Sequence, residues 1–287
     1  MKIVRTVDEL MATLGAWRRG PGAIGLAPTM GNLHDGHLGL VDALRREGAR
    51  RVVASIFVNP AQFGPGEDFA SYPRTFGADC DRLAARGVDL VFAPGIEEMY
   101  PPGEPLAARI DIPELSSDLC GAVRPGHFVG VLTVVAKLLN LVQPELAAFG
   151  EKDYQQLVMI RAMVRSLCFP ARIIAVATVR DADGLALSSR NQYLSGAGRA
   201  AAPQLFLSLA EAAGSLRAGG DVAEVERAGA LRLRAAGFEV DYFAVRDAGD
   251  LAPPKPGAGP LVVLAAGQLG RARLIDNLTV QFDTAAS

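Results

Sequence analysis

Two of the chain's three histidines stand three residues apart, in Ala27-Pro28-Thr29-Met30-Gly31-Asn32-Leu33-His34-Asp35-Gly36-His37. The apolar run Ala23 to Ala27 reads as a buried strand before them. Apolar positions at Leu38, Leu40, Val41 and Leu44 read as a helix after them. A helix start carries unpaired backbone N–H groups that favour anions. With His37 in the first helical turn, both imidazoles can face one ligand, and Gly36 lets a phosphate or a nucleotide ring come close to the backbone. Satisfied polar side chains and metal ligands are the competing readings. The Glu of an H-E-x-x-H zinc site is missing, however, and the place between strand and helix favours an anion.

Other candidates fall in later loops. Gly150-Glu151-Lys152-Asp153 follows another apolar strand. Lys152 is one of only four lysines among 29 basic residues, the others being Lys2, Lys137 and Lys255. Its compact ammonium suits a phosphate, while Glu151 and Asp153 also fit a capped helix start. Ser188-Ser189-Arg190 offers two hydroxyls and a guanidinium that could close over a triphosphate, or simply cap the next helix. Asn59, Gln62 and Gln156 are neutral amides, better matched to a small hydroxy acid than to a phosphate. Arg124 and His127 flank a Pro-Gly turn and add a cationic contact. Asp79, at a helix start, is a magnesium contact through water or phosphate only. No G-x-x-x-x-G-K-[ST] loop and no G-x-G-x-x-G after a strand occurs.

The elements that must position these residues alternate. Helices are expected at 8–19, 37–47, 75–86, 113–119, 131–142 and 154–167. Strands are expected at 23–27, 51–57, 88–93, 109–112, 145–149 and 171–179, with irregular stretches at 59–74 and 94–103. This alternation predicts an α/β fold, a Rossmann-like doubly wound parallel sheet. Right-handed crossovers gather the loops from 28, 58 and 94 onward at one edge, where ligands bind in such sheets. The pattern then changes. Helices near 196–217 and 222–236, strands near 238–246, 261–266 and 272–280, and a surface loop at 253–257 suggest a smaller α+β lid domain. The expected domains are 1–180 and 181–287.

The bulk numbers exclude several classes. A chain of 287 residues, half of them hydrophobic, can bury a full core. A formal net charge of −2 gives no electrostatic case for nucleic acid. Cys80, Cys120 and Cys168 are widely spaced, which argues against a disulfide framework or zinc knuckle and for a reducing compartment. No apolar run approaches the length of a membrane span, and the acids Asp8 and Glu9 oppose a signal peptide, so a soluble cytoplasmic protein is expected.

Taken in order, several blocks resemble the pantoate–β-alanine ligase family, within the H-x-G-H superfamily of Rossmann-like nucleotidyltransferases. They are Pro28 to His37, Ser55 to Phe63, Tyr72-Pro-Arg-Thr75, Arg124 to Phe128, Phe149 to Leu157, Leu187 to Asn191 and Arg273-Leu-Ile-Asp-Asn277. Ala61 and Leu187 stand where relatives often carry methionine, and neither place needs a polar group. The resemblance implies ATP-dependent condensation of (R)-pantoate with β-alanine to pantothenate, AMP and pyrophosphate through a pantoyl adenylate. It implies that His34 and His37 contact ATP, His37 as proton donor, with Lys152 as the third catalytic group. Lys152 and Ser188-Ser189-Arg190 would hold phosphates, and Met30, Gly31, Gly150, Glu151, Asp153, Val179 and Leu187 would line the ATP pocket. Gln62 and Gln156 would hold pantoate, Gln62 also lying by β-alanine, with Asn59, Arg124 and His127 beside them. Magnesium with the ATP and a homodimer are further implications. An adenylyltransferase of the same superfamily, acting on a phosphorylated substrate, is the alternative.

Overall fold

The computed structural model describes residues 1–103, 108–255 and 259–282. Two compact units emerge, Met1–Gly150 with Met159–Ala177, and Glu151–Val158 with the chain from Thr178 onward.

In the first unit, the chain runs β1 (Lys2–Val4), α1 (Val7–Arg18), β2 (Ala23–Thr29), α2 (Asp35–Arg46), β3 (Ala49–Ile56), α3 (Phe76–Ala85) and β4 (Leu90–Phe92). It continues through α4 (Ile96–Met99), α5 (Pro113–Ser116), α6 (Cys120–Val123), α7 (His127–Val142), β5 (Leu146–Gly150), α8 (Tyr154–Ser166), whose start belongs to the second unit, and β6 (Arg172–Val176). The six strands form one sheet in the order β1-β4-β3-β2-β5-β6, parallel at every pairing. Order reverses between β2 and β5, so the crevice outside their carboxyl ends is the ligand position of a doubly wound sheet.

Strand side chains alternate between two buried faces. Ala27, Val52, Ala54, Val91, Ala148 and Ile174 share a cluster with Leu40, Val41 and Leu44 of α2 and Leu83 of α3. The intervening Leu26, Val53, Leu90 and Ala147 are also buried, on the opposite face. Helices therefore cover both sides, as the α/β expectation requires. Thr6 caps α1 in a reciprocal box with Glu9.

The second unit holds α9 (Gly196–Ala201), α10 (Gln204–Arg217), α11 (Val222–Ala235), β7 (Glu239–Asp247), β8 (Leu261–Leu269) and β9 (Ala272–Val280). Its three strands are antiparallel in the order β7-β8-β9. Leu205, Leu209 and Leu216 of α10 and Leu233 of α11 share a core with Phe243, Val245, Val263 and Leu274 of the sheet.

Several local expectations need correction. Residues 109–112 form no strand, because the Ile110 N–H donates to the Thr133 hydroxyl at 3.1 Å rather than to a neighbouring strand. The helix expected over 113–119 ends at Ser116, and Leu119 turns the chain with φ +50° before α6. One expected helix over 196–217 is two, since Pro203 has no N–H to continue α9 and instead precedes α10. β1 and α4 were not anticipated, both being too short for a periodic signal. Within the surface loop expected at 253–257, Pro256 and Gly257 lie outside the described residues.

Candidate active site

Where β2 ends, the chain makes a turn that few sequences can make. Gly31 (φ +85°) and Asn32 (φ +51°) both adopt left-handed backbone, a conformation open to glycine and tolerated by asparagine. Asp79, at the start of α3 and almost fully buried, accepts the backbone N–H of Asn32 at 2.9 Å and of Leu33 at 2.8 Å. Its Oδ2 also accepts the Thr75 hydroxyl at 3.1 Å. Arg82, one helical turn further, donates to the Leu33 carbonyl. Sequence suggested Asp79 as a magnesium contact. In the structure its carboxylate organises the turn that carries the histidines, and both its oxygens face donors of this chain. Among the described residues no group of three His, Cys, Asp or Glu side chains is placed to hold a metal ion.

The turn delivers His34 as N-cap and His37 in the first turn of α2. Their ring centroids are 4.1 Å apart, inclined by 41°. The His34 ring lies over Gly36, where an added Cβ would sit 3.0 Å from Cε1 and Nδ1. The His34 N–H donates to Nδ1 of His37 at 3.3 Å. Nδ1 therefore acts as acceptor, which leaves the proton of the neutral ring on Nε2.

A second group assembles within the same unit. Asn59 caps the 3-10 turn Pro60–Gln62 by accepting the Ala61 N–H at 3.2 Å. Its Nδ2 donates to Gln62 Oε1 at 3.1 Å and to the Gly130 carbonyl at 3.1 Å. Gln62 Nε2 lies 3.2 Å from Met30 Sδ, so the amide turn touches the residue that follows β2. Arg124 reaches the Gln62 carbonyl at 3.4 Å, and His127 Nδ1 lies 2.8 Å from the same oxygen. Arg124 also grips Glu67 through Nε and Nη2 at 2.8 and 2.6 Å. Burial works to raise the Glu67 carboxyl, but hydrogen bonding and charge from Arg124 outweigh it and hold it below the usual carboxylate range. Met30, Asn59, Gln62, Arg124 and His127 thus form one connected set. Glu67 escaped sequence reasoning because it stands in a loop with no periodicity. Tyr100, which donates to Asn59 Oδ1 at 2.8 Å, escaped it too.

The second unit gathers its own candidates. Lys152 and Ser188 line a pocket together with Ala186 and Asn191. Asn277 Nδ2 donates to the carbonyls of Glu151 and Lys152 at 2.8 and 3.0 Å, fixing the backbone beneath the lysine. Ser188 caps the 3-10 turn Ser189–Tyr193 by accepting the Arg190 N–H at 3.2 Å. The Leu187 N–H donates to the Val179 carbonyl at 2.9 Å, tying two candidate pocket residues together. A bidentate Arg180–Asp276 pair, with Asp276 buried, braces the strand that presents Asn277. Gln156 stands half-buried in the first turn of α8, Asp153 is exposed just before it, and Gly150 closes β5 in the first unit.

Residues 2–279 match the family model described as Pantoate-beta-alanine ligase. The chain belongs to the pantoate–β-alanine ligase family. The pantothenate synthetase of Methylococcus capsulatus is 52% identical over 285 residues, covering 99% of both chains. That of Pseudomonas putida is 54% identical, again over 99% of each. Among solved structures, the Thermus thermophilus pantothenate synthetase matches with a TM-score of 0.90 at 51% identity, covering 97% of this chain and 99% of its own. The Francisella tularensis pantoate–β-alanine ligase, complexed with β,γ ATP and β-alanine, matches at 0.79 and 32% identity, covering 97% of each. The family decides between the two readings of the sequence: this is a ligase joining pantoate to β-alanine, not an adenylyltransferase acting on a phosphate. It shares the ligase fold, a Rossmann-like parallel sheet with a small antiparallel domain.

Proposed function

We propose that the ligase works through a pantoyl adenylate. A pantoate carboxylate oxygen attacks the α-phosphorus of ATP, the bond to the bridging oxygen breaks, and pyrophosphate leaves. The β-alanine amine then attacks the acyl carbon, the acyl–oxygen bond to AMP breaks, and the amine gives up a proton. Neither step requires a covalent enzyme intermediate, so rate comes from positioning and from charge placed where phosphate oxygens become more negative.

The residue roles are those the family resemblance implies, and residue type and setting support them. His34 and His37 face ATP, and His37 offers the Nε2 proton to charge building toward the leaving pyrophosphate. Lys152, Ser188, Ser189 and Arg190 hold phosphates, with Glu151, Asp153, Val179, Leu187, Gly150, Met30 and Gly31 lining the nucleotide. Gln62 and Gln156 bind pantoate, and Asn59, Arg124 and His127 support that site. Magnesium travels with the phosphates, not on Asp79, whose oxygens are taken up by the turn. We read the protein as a cytoplasmic homodimer.

The observation that carries this reading is the turn from Gly31 to His37, held by Asp79 at the switch point of the sheet. The test is pyrophosphate release from ATP with pantoate alone, followed by AMP release only when β-alanine is added. Pyrophosphate release that needs β-alanine from the start would overturn the adenylate route.

A further inference from the structure

One buried network beside the turn at Asn59 includes a lysine that the reaction does not use. Asn59 is only 1% exposed, and its amide can face one way only. Oδ1 accepts the Ala61 N–H, a group that can only donate. Nδ2 donates to the Gly130 carbonyl, a group that can only accept. These two backbone partners settle the amide without reference to how its ends are assigned. Oδ1 carries no proton, so the Tyr100 hydroxyl 2.8 Å away must be the donor. The remaining Nδ2 hydrogen faces Gln62, which must answer with oxygen. Gln62 is thereby obliged to turn its NH2 end away from Asn59, toward Met30.

From this we infer that Tyr100 is a positioning residue for pantoate: through Asn59 it fixes Gln62 so that the substrate meets an N–H donor. The inference rests on the reading of Gln62 as a pantoate contact. Its chemistry is that of an acid-selective site, since a carboxylate or hydroxyl oxygen is recognised by a donor already aimed at it. The hydroxyl fills the second lone pair of Asn59 Oδ1, which otherwise would face a buried gap. Burial pushes the Tyr100 hydroxyl up to about 12, so it remains a donor at any working pH. Its ring is held in turn. Lys137 in α7 donates to the Met99 carbonyl and places Nζ 5.1 Å from the ring centroid, and the Phe57 ring stands 6.2 Å away. Lysine scarcity, noted in the sequence, finds a use here at Lys137.

The experiment is a kinetic cycle of Tyr100→Phe, Gln62→Ala and their double variant. Loss of the hydroxyl should raise the pantoate KM about fivefold, as one net hydrogen bond allows. The KM values for ATP and β-alanine should stay within about twofold, and the melting midpoint within about 2 °C of wild type. Gln62→Ala should raise the pantoate KM by itself, and adding Tyr100→Phe should then raise it no further. Additive effects, or equal rises for all three substrates, overturn the inference while leaving Gln62 in place. An unchanged pantoate KM and kcat in Gln62→Ala removes Gln62 from the site and the inference with it. If Tyr100→Phe fails to fold, Lys137→Met is read by the same cycle. A pantoate-specific rise that vanishes in the Gln62→Ala background supports the relay, and a rise shared by all substrates overturns it.

Discussion

Gly130 and Ala61 are in backbone contact: a Cβ added to Gly130 would lie 2.1 Å from the Ala61 carbonyl oxygen and 2.7 Å from the Gln62 nitrogen. Neither atom belongs to a flexible side chain, so α7 or the 3-10 turn has to move. The turn carries Gln62 and its Asn59 clasp onto the Gly130 carbonyl. Gly130→Ala should therefore cut kcat/KM for pantoate by about 10²-fold, the scale of a displacement near 1 Å. Steady-state kinetics varying pantoate at saturating ATP and β-alanine checks it. Wild-type values would mean that the close approach has no bearing on substrate.

Lys152 sits on backbone whose carbonyls are both gripped by Asn277. Removing its ammonium leaves that backbone intact and takes away one charge from the phosphate site. Lys152→Ala should slow adenylate formation by about 10²-fold or more, the usual cost of losing a preorganised charge contact in the transition state. Pyrophosphate release with ATP and pantoate alone isolates the step. A near-normal rate there would take Lys152 out of the chemistry.

Much of this was legible in the chain, and the exceptions have physical causes. The apolar run Arg51 to Phe57 points to a parallel sheet because both faces of β3 are buried, which leaves no alternation to misread. The run Ala171 to Val179, apolar enough to suggest a central strand, is instead the edge strand β6, which ends at Val176 and alternates in burial. The histidine turn was legible from its neighbours, a strand before it and a helix after it. Its support was not. Asp79 works across 47 residues of sequence on Asn32, and Tyr100 works across 41 on Asn59. No local period reports a contact at that range, and an acid near a helix start looks the same whether it caps its own helix or holds another loop. The short α4, and α5 and α6 broken at Leu119, fall below the length at which helical spacing can be recognised.

Asp79 also permits a prediction that separates folding from nucleotide binding. Asp79→Asn keeps shape but turns one acceptor into a donor facing a backbone N–H or the Thr75 hydroxyl. A buried amide left without its acceptor costs about 1–3 kcal/mol, and this one holds the turn that presents His34 and His37. The variant should melt lower and show an ATP KM raised by about tenfold, the equivalent of roughly 1.4 kcal/mol. Isothermal titration with a non-hydrolysable ATP analogue measures the second effect directly. A lowered melting point with unaltered nucleotide affinity would reduce Asp79 to a purely structural role.

At the opposite end of the strands, Asp89 yields a prediction in which stability changes and activity does not. Its Oδ2 accepts the Val52 N–H and Arg45 Nη2, each at 2.8 Å, and its Oδ1 accepts Arg51 Nη1 at 2.8 Å. Burial works to raise this carboxyl, but the Val52 N–H and the two guanidiniums outweigh it and hold it below its ordinary value of 3.8. A carboxyl depressed on folding stabilises the native state above its unfolded pKa, and that contribution fades as pH falls through the folded value. Asp89→Asn should thus lose about 2 kcal/mol at pH 7, the scale of a hydrogen bond to a charged group. The gap from wild type should close as pH drops below the ordinary carboxyl value of 3.8. Because Asp89 immediately precedes β4 and meets Val52 in the first half of β3, away from the carboxyl ends of the strands, kcat and all three KM values should be unchanged. Urea unfolding across the acid range, with kinetics at neutral pH, tests both halves. A stability gap independent of pH would show that the packing of the side chain, not its charge, holds β3 to β4.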